Sequence, residues 1–199
     1  LIKTPDLAHA IVRAARQGLE DWAGGQSIHS QGFKPSRIEF IHTLNHSRSG
    51  VPVVPRRLLP LSIKTRLGFD CVVVERWVEH LLEARPAAIT LHGRTLQQMY
   101  RGAADWSAIA EAAKLAHGTG TLMLGNGDLN TLVDAIRRAA ESKVQGVLVG
   151  RGTLGSPWFF REKEQARRAF SERDDLPTLP AAAWEPQVSV SHRMQVMLD

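Results

Sequence analysis

The sequence contains only one cysteine, Cys71, so the chain cannot form an internal disulfide. Disulfides are typical of proteins in oxidising compartments, and a chain without one fits a reducing compartment. We therefore expect a cytoplasmic protein.

Long apolar runs are also missing. No stretch reaches the roughly 18 consecutive apolar residues of a transmembrane helix, so we expect no membrane partner. The first residues, LIKTPDLAHA, lack the basic segment and apolar core of a signal peptide. They also lack an initiating methionine, and we expect the chain to begin inside a longer protein.

The composition and charge are those of a basic globular protein. The 199 residues are enough for one domain, or for a domain with a tail, and the hydrophobic and charged fractions of 43% and 23% are ordinary. The formal net charge of +5 favours a polyanionic partner, because phosphate neutralisation drives non-specific affinity for nucleic acids.

Four short apolar runs predict β-strands that alternate with helical patterns. Each run is nearly continuous, which is typical of strands buried on both faces of a parallel sheet. The runs recur about every 24 to 33 residues, close to the ~31 residues per unit of an eight-unit βα barrel, and a doubly wound open sheet has similar spacing. The strand candidates are LSIKTRLG (61–68), AITLHGRT (88–95), TLMLGNGD (121–128) and GVLVGRG (146–152), and the helical stretches between them are VVVERWVEHLLEA, DWSAIAEAAKLA and NTLVDAIRRAAES.

The flanking segments have different patterns. The opening residues TPDLAHAIVRAARQGLEDW predict one helix capped by Thr4. Residues 25–60 indicate an inserted hairpin or a loosely ordered excursion, with one possible strand over residues 37–45. Residues 161–199 have the composition of a linker followed by the start of a truncated helical domain.

Basic and polar side chains follow the strand candidates at their carboxyl ends, where α/β folds build their sites. Lys64 and Arg66 alternate along the first strand and therefore point to one face, where two cations need an anion. His92 ends the second strand, ahead of Gly93 and Arg94. An ordinary edge strand and a packed histidine are the alternative interpretations.

Glycines surround the polar residues at the last two strand ends. In GNGD, Asn126 and Asp128 offer hydrogen-bonding groups while Gly127 frees the backbone, and the helical pattern that follows argues against an Asn-Gly hairpin. In GRGTLG, Gly150 precedes Arg151, so that backbone amides and a guanidinium can hold an anion. Together the strand ends predict a phosphate-bearing cofactor, with a glycine-rich turn and a surface arginine as the alternative.

Taken with these strand ends, residues 61–160 resemble the tRNA-dihydrouridine synthases. The matching segments, in the family's order and spacing, are SIKTRLGFD, ITLHGRTLQQMYRGAADW, LGNGD and GVLVGRGTLGSPWFF. The block HGRT…QMY.G.ADW is specific to that family among flavin barrels. The resemblance implies an α/β fold that forms the C-terminal half of an FMN-binding TIM (β/α)8 barrel over residues 1–160, with parallel strands, flanking helices and the insertion over residues 25–60.

The resemblance also implies a flavin site and a rim that meets RNA. FMN would be held by Lys64, His92, Asn126, Gly127, Asp128, Gly150 and Arg151. The target uridine or the tRNA backbone would meet Arg66, Arg94, Tyr100 and Arg101. The implied reaction reduces the C5–C6 double bond of a uridine in tRNA with a hydride from reduced FMN, with NADPH as the reductant of the flavin and no metal. The uridine must first be extruded from the folded tRNA.

The chain departs from the family pattern in what precedes its first residue. The family's first half barrel and its proton-donating cysteine lie before that point, so we expect no catalytic residue in this chain and no activity from the chain alone. Cys71 is not that cysteine, and we expect it to be a buried or half-buried small apolar residue.

Two alternatives stay open. One is a catalytically inactive fragment or pseudoenzyme that binds RNA or FMN only, which the missing cysteine and the positive charge favour. The other is a different FMN barrel oxidoreductase, such as a dihydroorotate dehydrogenase, against which the block HGRTLQQMYRGAADW argues.

Overall fold

The computed structural model describes residues 1–47, 56–156 and Phe159. These residues form five α-helices and four β-strands, with two short 3-10 helices at Ile28–Gln31 and Arg151–Thr153. In chain order the helices and strands are α1 (Pro5–Ala23), α2 (Pro35–Ser47), β1 (Ser62–Arg66), α3 (Val74–Glu83), β2 (Ala88–His92), α4 (Trp106–Ala116), β3 (Leu122–Asn126), α5 (Leu132–Ser142) and β4 (Gly146–Leu148).

The four strands form one parallel sheet in the order β1-β2-β3-β4. In the register of β2 and β3, His92 pairs with Asn126, and in that of β3 and β4 Asn126 pairs with Leu148. The carboxyl ends of β2, β3 and β4 therefore lie side by side. Each β-strand predicted between residues 61 and 152 is confirmed, as are the helices between them and the α/β class.

The helices α3 and α4 pack against one face of the sheet. The indole N–H of Trp77 in α3 donates to Thr65 Oγ1 over 2.9 Å. A Cβ placed on Gly125 of β3 would lie 2.5 Å from Trp106 Cζ3 in α4, so α4 approaches the sheet as closely as a glycine permits. Side chains alternate along a strand, so the opposite face carries Lys64, Arg66, His92 and Asn126.

The prediction that every strand is buried on both faces is wrong for β1, β3 and β4. The central residues of β2 are all buried, but buried and less buried positions alternate along β3, and neither β1 nor β4 has a buried residue. Leu122 of β3 is 52% exposed. Leu122 lies on the face of the sheet opposite to the one on which α3 and α4 pack.

The chain divides into two compact units, Leu1–Ser62 and Ile63–Asp199. Within the first unit, α1 begins at Pro5 as predicted, although the Thr4 side chain makes no capping hydrogen bond. The strand predicted over residues 37–45 is wrong, because this segment belongs to α2. Proline is favoured in the first turn of a helix, and α2 begins at Pro35.

Two other expectations concern the loop after β1 and the C-terminal tail. Cys71 is exposed, which corrects the expectation that it is a buried or half-buried apolar residue. It lies in the loop before α3, which begins at Val74, and its N–H donates to the Asp70 carboxylate. Cys71 therefore does not pack against the sheet. The linker and helical domain predicted over 161–199 lie outside the described residues. Within the described ranges, no helix has the length and apolar character needed to cross a membrane.

Candidate functional site

A pocket of about 230 Å³ opens at the carboxyl ends of the four strands. It is lined by all seven residues predicted to hold the cofactor, Lys64, His92, Asn126, Gly127, Asp128, Gly150 and Arg151. Arg66 and Tyr100 line it as well. The strand register brings together side chains that lie far apart in the chain, as expected for a parallel sheet.

The β1 edge of the pocket is cationic. Lys64 and Arg66 both line it, which confirms that the two side chains share a face. Arg66 Nη1 also donates to the backbone oxygen of Thr95 over 2.9 Å and so fixes the start of the loop after β2. The pocket therefore has one anchored guanidinium and one exposed ammonium group on the same strand.

His92 ends β2, is half-buried and lines the pocket. Burial and the positive charges of Arg66, Lys64 and Arg94 lower the pKa of His92 to about 4, against the opposing effect of the Asp128 carboxylate. The imidazole is therefore neutral at pH 7. A neutral imidazole donates one hydrogen bond and accepts another, so His92 can hold a polar ligand without adding charge.

The backbone at Gly127 is tightly enclosed by side chains of the neighbouring loop and strand. Its φ is +131°, and a Cβ at this position would lie 2.6 Å from Ala104 Cβ and 3.1 Å from His92 Cδ2. The Trp106 indole N–H donates to the Gly127 carbonyl oxygen over 3.1 Å. Both the conformation and the space require glycine here.

Asp128 lies at the centre of the hydrogen bonds between the loops. Its Oδ2 accepts from Arg94 Nη2 and from the Ala104 N–H, each over 2.7 Å, and its Oδ1 accepts from Arg151 Nη2 over 3.3 Å. Burial opposes ionisation of Asp128, but the hydrogen bonds from Arg94 and Ala104 and the charges of Arg94 and Arg151 outweigh it, so the pKa of the carboxyl is held below its usual value. The carboxylate is ionised and acts only as an acceptor.

Arg151 forms the outer rim after β4. Its side chain is 60% exposed, and its guanidinium carbon lies 5.1 Å from the centroid of the Tyr100 ring, within the range of a cation–π contact. A Cβ on Gly150 would meet no atom within 4 Å, so the backbone before Arg151 faces open space. A Cβ on Gly152 would instead lie 2.5 Å from the Leu129 oxygen, so this glycine lets the loops after β3 and β4 pack together.

Two of the residues predicted to meet tRNA do not line the pocket. Arg94 is 3% exposed, and its Nε and Nη2 both donate to the Gly102 oxygen in addition to the contact with Asp128. Arg101 is exposed and its Nη2 donates to the Gln97 oxygen over 3.0 Å. The pocket also has three lining residues that were not predicted, Leu129, Asn130 and Leu148. Leu129 and Asn130 directly follow Asp128, and that proximity was the available signal for them.

Comparison with known proteins identifies the family. The family model described as dihydrouridine synthase (Dus) matches residues 46–197. A "Probable tRNA-dihydrouridine synthase" of Aquifex aeolicus is 40% identical over 141 residues, covering 71% of this chain and 38% of that protein. A "Probable tRNA-dihydrouridine synthase" of Mycobacterium leprae is 38% identical over 115 residues, covering 54% of this chain and 28% of the mycobacterial protein.

Eukaryotic proteins are similar as well. The human "tRNA-dihydrouridine(47) synthase [NAD(P)(+)]-like" is 36% identical over 123 residues, which cover 59% of this chain and 18% of the human protein. The chain thus spans well under half the length of the curated relatives it matches. The family match argues against a dihydroorotate dehydrogenase, and the chain belongs to the dihydrouridine synthase family.

Proposed function

We propose that this chain supplies the flavin-phosphate side of an FMN-dependent tRNA-dihydrouridine synthase, and that the whole enzyme reduces the C5–C6 bond of specific uridines in tRNA in the cytoplasm. The observation that carries the proposal is the pocket at the strand ends, which is lined by Lys64, Arg66, His92 and Arg151. These are the residue types that a phosphorylated, polar-edged cofactor requires.

The charges in the pocket fit a phosphate. Three cationic side chains line it, Lys64, Arg66 and Arg151, and Asp128 is the single carboxylate among its lining residues. Asp128 is already neutralised by its contact with the buried Arg94. The surplus of positive charge supports the binding of an anion, since cations held together without one repel each other.

The backbone around the pocket also fits a cofactor that approaches closely. Gly127 has no room for a Cβ, and Gly150 borders open space on its Cβ side. In the proposal, Arg151 and the backbone near Gly150 hold the phosphate, and Asn126 and the backbone of Gly127 contact the ribityl chain. Lys64 and His92 would contact the polar edge of the flavin.

When bound, reduced FMN supplies the hydride for the uracil ring, and NADPH is the reductant that restores the flavin. The residues of this chain bind and orient. Neutral His92 offers a hydrogen bond without attracting a proton, and the positive charge of Lys64 acts on the same part of the pocket. We assign the proton donor to no residue of this chain, because Cys71 lies in the exposed loop before α3 and outside the pocket lining.

The proposed macromolecular partner is tRNA. Arg66 and Tyr100 line the pocket, and Tyr100 is 68% exposed, so an extruded base can reach its ring. Arg101 lies one residue further along the same loop and is exposed, where it can meet a phosphate. The net charge of +5 supports this partner through the same electrostatics.

The test is a titration of the 199-residue chain with FMN and, in parallel, with riboflavin, which lacks the phosphate. We expect saturable quenching of flavin fluorescence, with FMN binding at least about tenfold tighter than riboflavin, because a charge-assisted phosphate contact contributes about 1.5–3 kcal/mol. Equal affinity for the two ligands, or no binding to the folded chain, would contradict the proposal.

The basic net charge favours one other candidate function, a protein that binds RNA without turnover. It is distinguished by titrating tRNA in the presence and absence of FMN. Salt-sensitive tRNA affinity from a chain that binds no flavin would favour it over the proposal.

A further inference from the structure

We propose that Asp128 is a positioning residue, which holds the Arg151 guanidinium beside Tyr100, and that it makes no phosphate contact of its own. The inference rests on the proposed function for the identity of the ligand, and it changes the role of Asp128 from one of the residues predicted to hold FMN to a residue that acts through Arg151.

The chemistry of the carboxylate excludes a direct contact with a phosphate. An ionised carboxylate only accepts hydrogen bonds, and so does a phosphate dianion, so the two groups repel. Both oxygens of Asp128 already accept from protein donors, Oδ2 from Arg94 and Ala104 and Oδ1 from Arg151. An acid can serve an anion site by holding the cation that binds the anion.

Arg94 gives Asp128 a fixed anchor. Its side chain is 3% exposed and joins Asp128 to the Gly102 oxygen, two residues after Tyr100. The same carboxylate therefore holds the loop that carries Tyr100 and, through Oδ1, the Arg151 side chain that lies beside that ring.

The cost of burying Arg94 points to a role of its pair with Asp128 beyond stability. Within the described part of the chain, the buried Arg94 Nη1 has no hydrogen-bond partner. A buried arginine with an unsatisfied donor is a poor stabilising device, because the desolvation of its charge offsets its attraction to the partly exposed Asp128. The pair is explained if the arrangement it maintains is needed at the pocket.

Arg151 needs such a restraint because it is mostly exposed. A free arginine side chain samples many rotamers, and ordering it on binding costs about 2 kcal/mol at most. Asp128 engages only the Nη2 nitrogen of this guanidinium. The remaining N–H groups are donors that an anion can use, and the contact with Asp128 reduces the rotamer freedom that the side chain would lose on binding.

The first experiment is a double-mutant cycle of Asp128→Asn and Arg151→Ala with FMN as ligand. Asparagine preserves the shape and tolerates the left-handed φ of +49° at this position, but it removes the charge that holds Arg151. We expect each single variant to weaken FMN binding by about tenfold, equivalent to 1.4 kcal/mol, and the double variant to bind no more weakly than Arg151→Ala.

Opposite results would overturn the inference. If Asp128 merely dilutes the positive charge of the pocket, then Asp128→Asn binds FMN more tightly. If it contacts the ligand independently of Arg151, the two losses add. Asp134→Asn is the matched control: Asp134 is 31% exposed against 32% for Asp128 and also pairs with an arginine, but it lies on α5 outside the pocket, and we expect FMN affinity to be unchanged.

A second measurement needs no ligand and therefore separates this inference from the proposed function. The ¹⁵N relaxation of the Arg151 Nε–H group reports the order of the guanidinium directly. We expect it to be ordered in the wild type and mobile in Asp128→Asn, while Arg137 on the surface of α5 is unchanged. An Arg151 signal equally ordered in both would overturn the positioning role, whether or not the chain binds FMN.

A further variant covers the case in which Asp128→Asn does not fold. Tyr100→Ala removes an exposed ring, so the fold is not at risk. We expect it to mobilise Arg151 and to weaken FMN binding only while Arg151 is present. Additive effects of Tyr100→Ala and Arg151→Ala would show that the two residues act separately.

Discussion

The guanidinium carbon of Arg151 lies 5.1 Å from the centroid of the Tyr100 ring. Tyr100 belongs to the loop after β2, and Arg151 follows β4, so the contact passes over the end of β3. The residue at the end of β3 that reaches both loops is Asp128. The rim of the pocket is therefore a set of mutually dependent loops, and substitutions at its centre should affect ligand binding differently from substitutions at its edge.

Lys64 tests the edge of the pocket. Lys64→Gln removes an exposed charge from β1, so we expect little change in the free energy of unfolding and about a fivefold to tenfold loss of flavin affinity, since charge-assisted contacts contribute about 1.5–3 kcal/mol before solvent screening. If Lys64 contacts the flavin ring, the loss is similar for FMN and riboflavin. The measurement is fluorescence titration with both ligands.

Lys114→Gln is the control for Lys64, because Lys114 is an exposed lysine on α4 whose ammonium group pairs with Glu111 on the same helix. It should bind both flavins like the wild type. A loss confined to FMN in Lys64→Gln would place this lysine at the phosphate and contradict the assignment to the ring.

The strands and the residues of the pocket could be predicted because their signals are local. A parallel strand buried against helices requires an apolar run, and its carboxyl end is where polar residues and glycine are tolerated. His92, Asn126 and Arg151 each follow such a run directly. The parallel register then brings them together without further information from the chain.

The burial of Arg94 could not be predicted in this way. Its ionic partner, Asp128, is 34 residues away, and nothing in the local sequence distinguishes Arg94 from the exposed Arg101 on the same loop. The strand predicted over residues 37–45 was wrong for a different reason. Isoleucine and phenylalanine favour strands, but the helical start at Pro35 decides the conformation of the segment.

His92 makes the stability of the fold depend on pH. An unfolded histidine titrates near pH 6.5, whereas the pKa of His92 in the fold is lowered to about 4. Between these values the unfolded chain binds a proton that the folded chain does not, so stability falls as the pH is lowered from about 6.5 to about 4. Above pH 6.5 this group adds no pH dependence.

The measurement for His92 is the urea midpoint at pH 7 and at pH 5 in the wild type and in His92→Gln. We expect the midpoint to fall less in the variant, because glutamine does not titrate. The His92 Cε1–H resonance should shift with a midpoint near pH 4. A resonance that titrates near 6.5 would show that neither burial nor the neighbouring cations lower the pKa of this imidazole.

Gly127→Ala tests the tight approach of the backbone at the end of β3. The new Cβ must displace Ala104 and His92 and must also adopt a φ of +131°. We expect a loss of more than about 2 kcal/mol in the free energy of unfolding, together with weaker FMN binding. Urea denaturation and flavin titration measure the two effects.

Gly118→Ala is the matched control for Gly127. Gly118 has a φ of +77°, but a Cβ there meets nothing within 4 Å, so only the backbone strain of about 1–2 kcal/mol remains. FMN affinity should be unchanged. If both variants lose the same stability, crowding at Gly127 contributes nothing, and the pocket is more adaptable than its geometry indicates.

Trp106 links the core of the sheet to the pocket. Its ring lies against Gly125, and its indole N–H donates to the Gly127 oxygen over 3.1 Å in a buried position. Trp106→Phe removes this donor and leaves a buried carbonyl without it, which costs about 1–3 kcal/mol in addition to the smaller ring. Because Gly127 lines the pocket, we also expect FMN to bind about threefold to tenfold more weakly, as a loss of 0.7–1.4 kcal/mol implies.

Trp77→Phe separates the two consequences of the Trp106 change. Trp77 is equally buried and its indole N–H donates to Thr65 Oγ1 over 2.9 Å, but this bond joins α3 to β1 away from the pocket lining. We expect Trp77→Phe to lower the urea midpoint by a comparable amount and to leave FMN affinity unchanged. A Trp106→Phe protein that loses stability but binds FMN like the wild type would show that the Gly127 carbonyl holds its position without the indole. The close approach at the end of β3 would then depend on the glycine conformation alone.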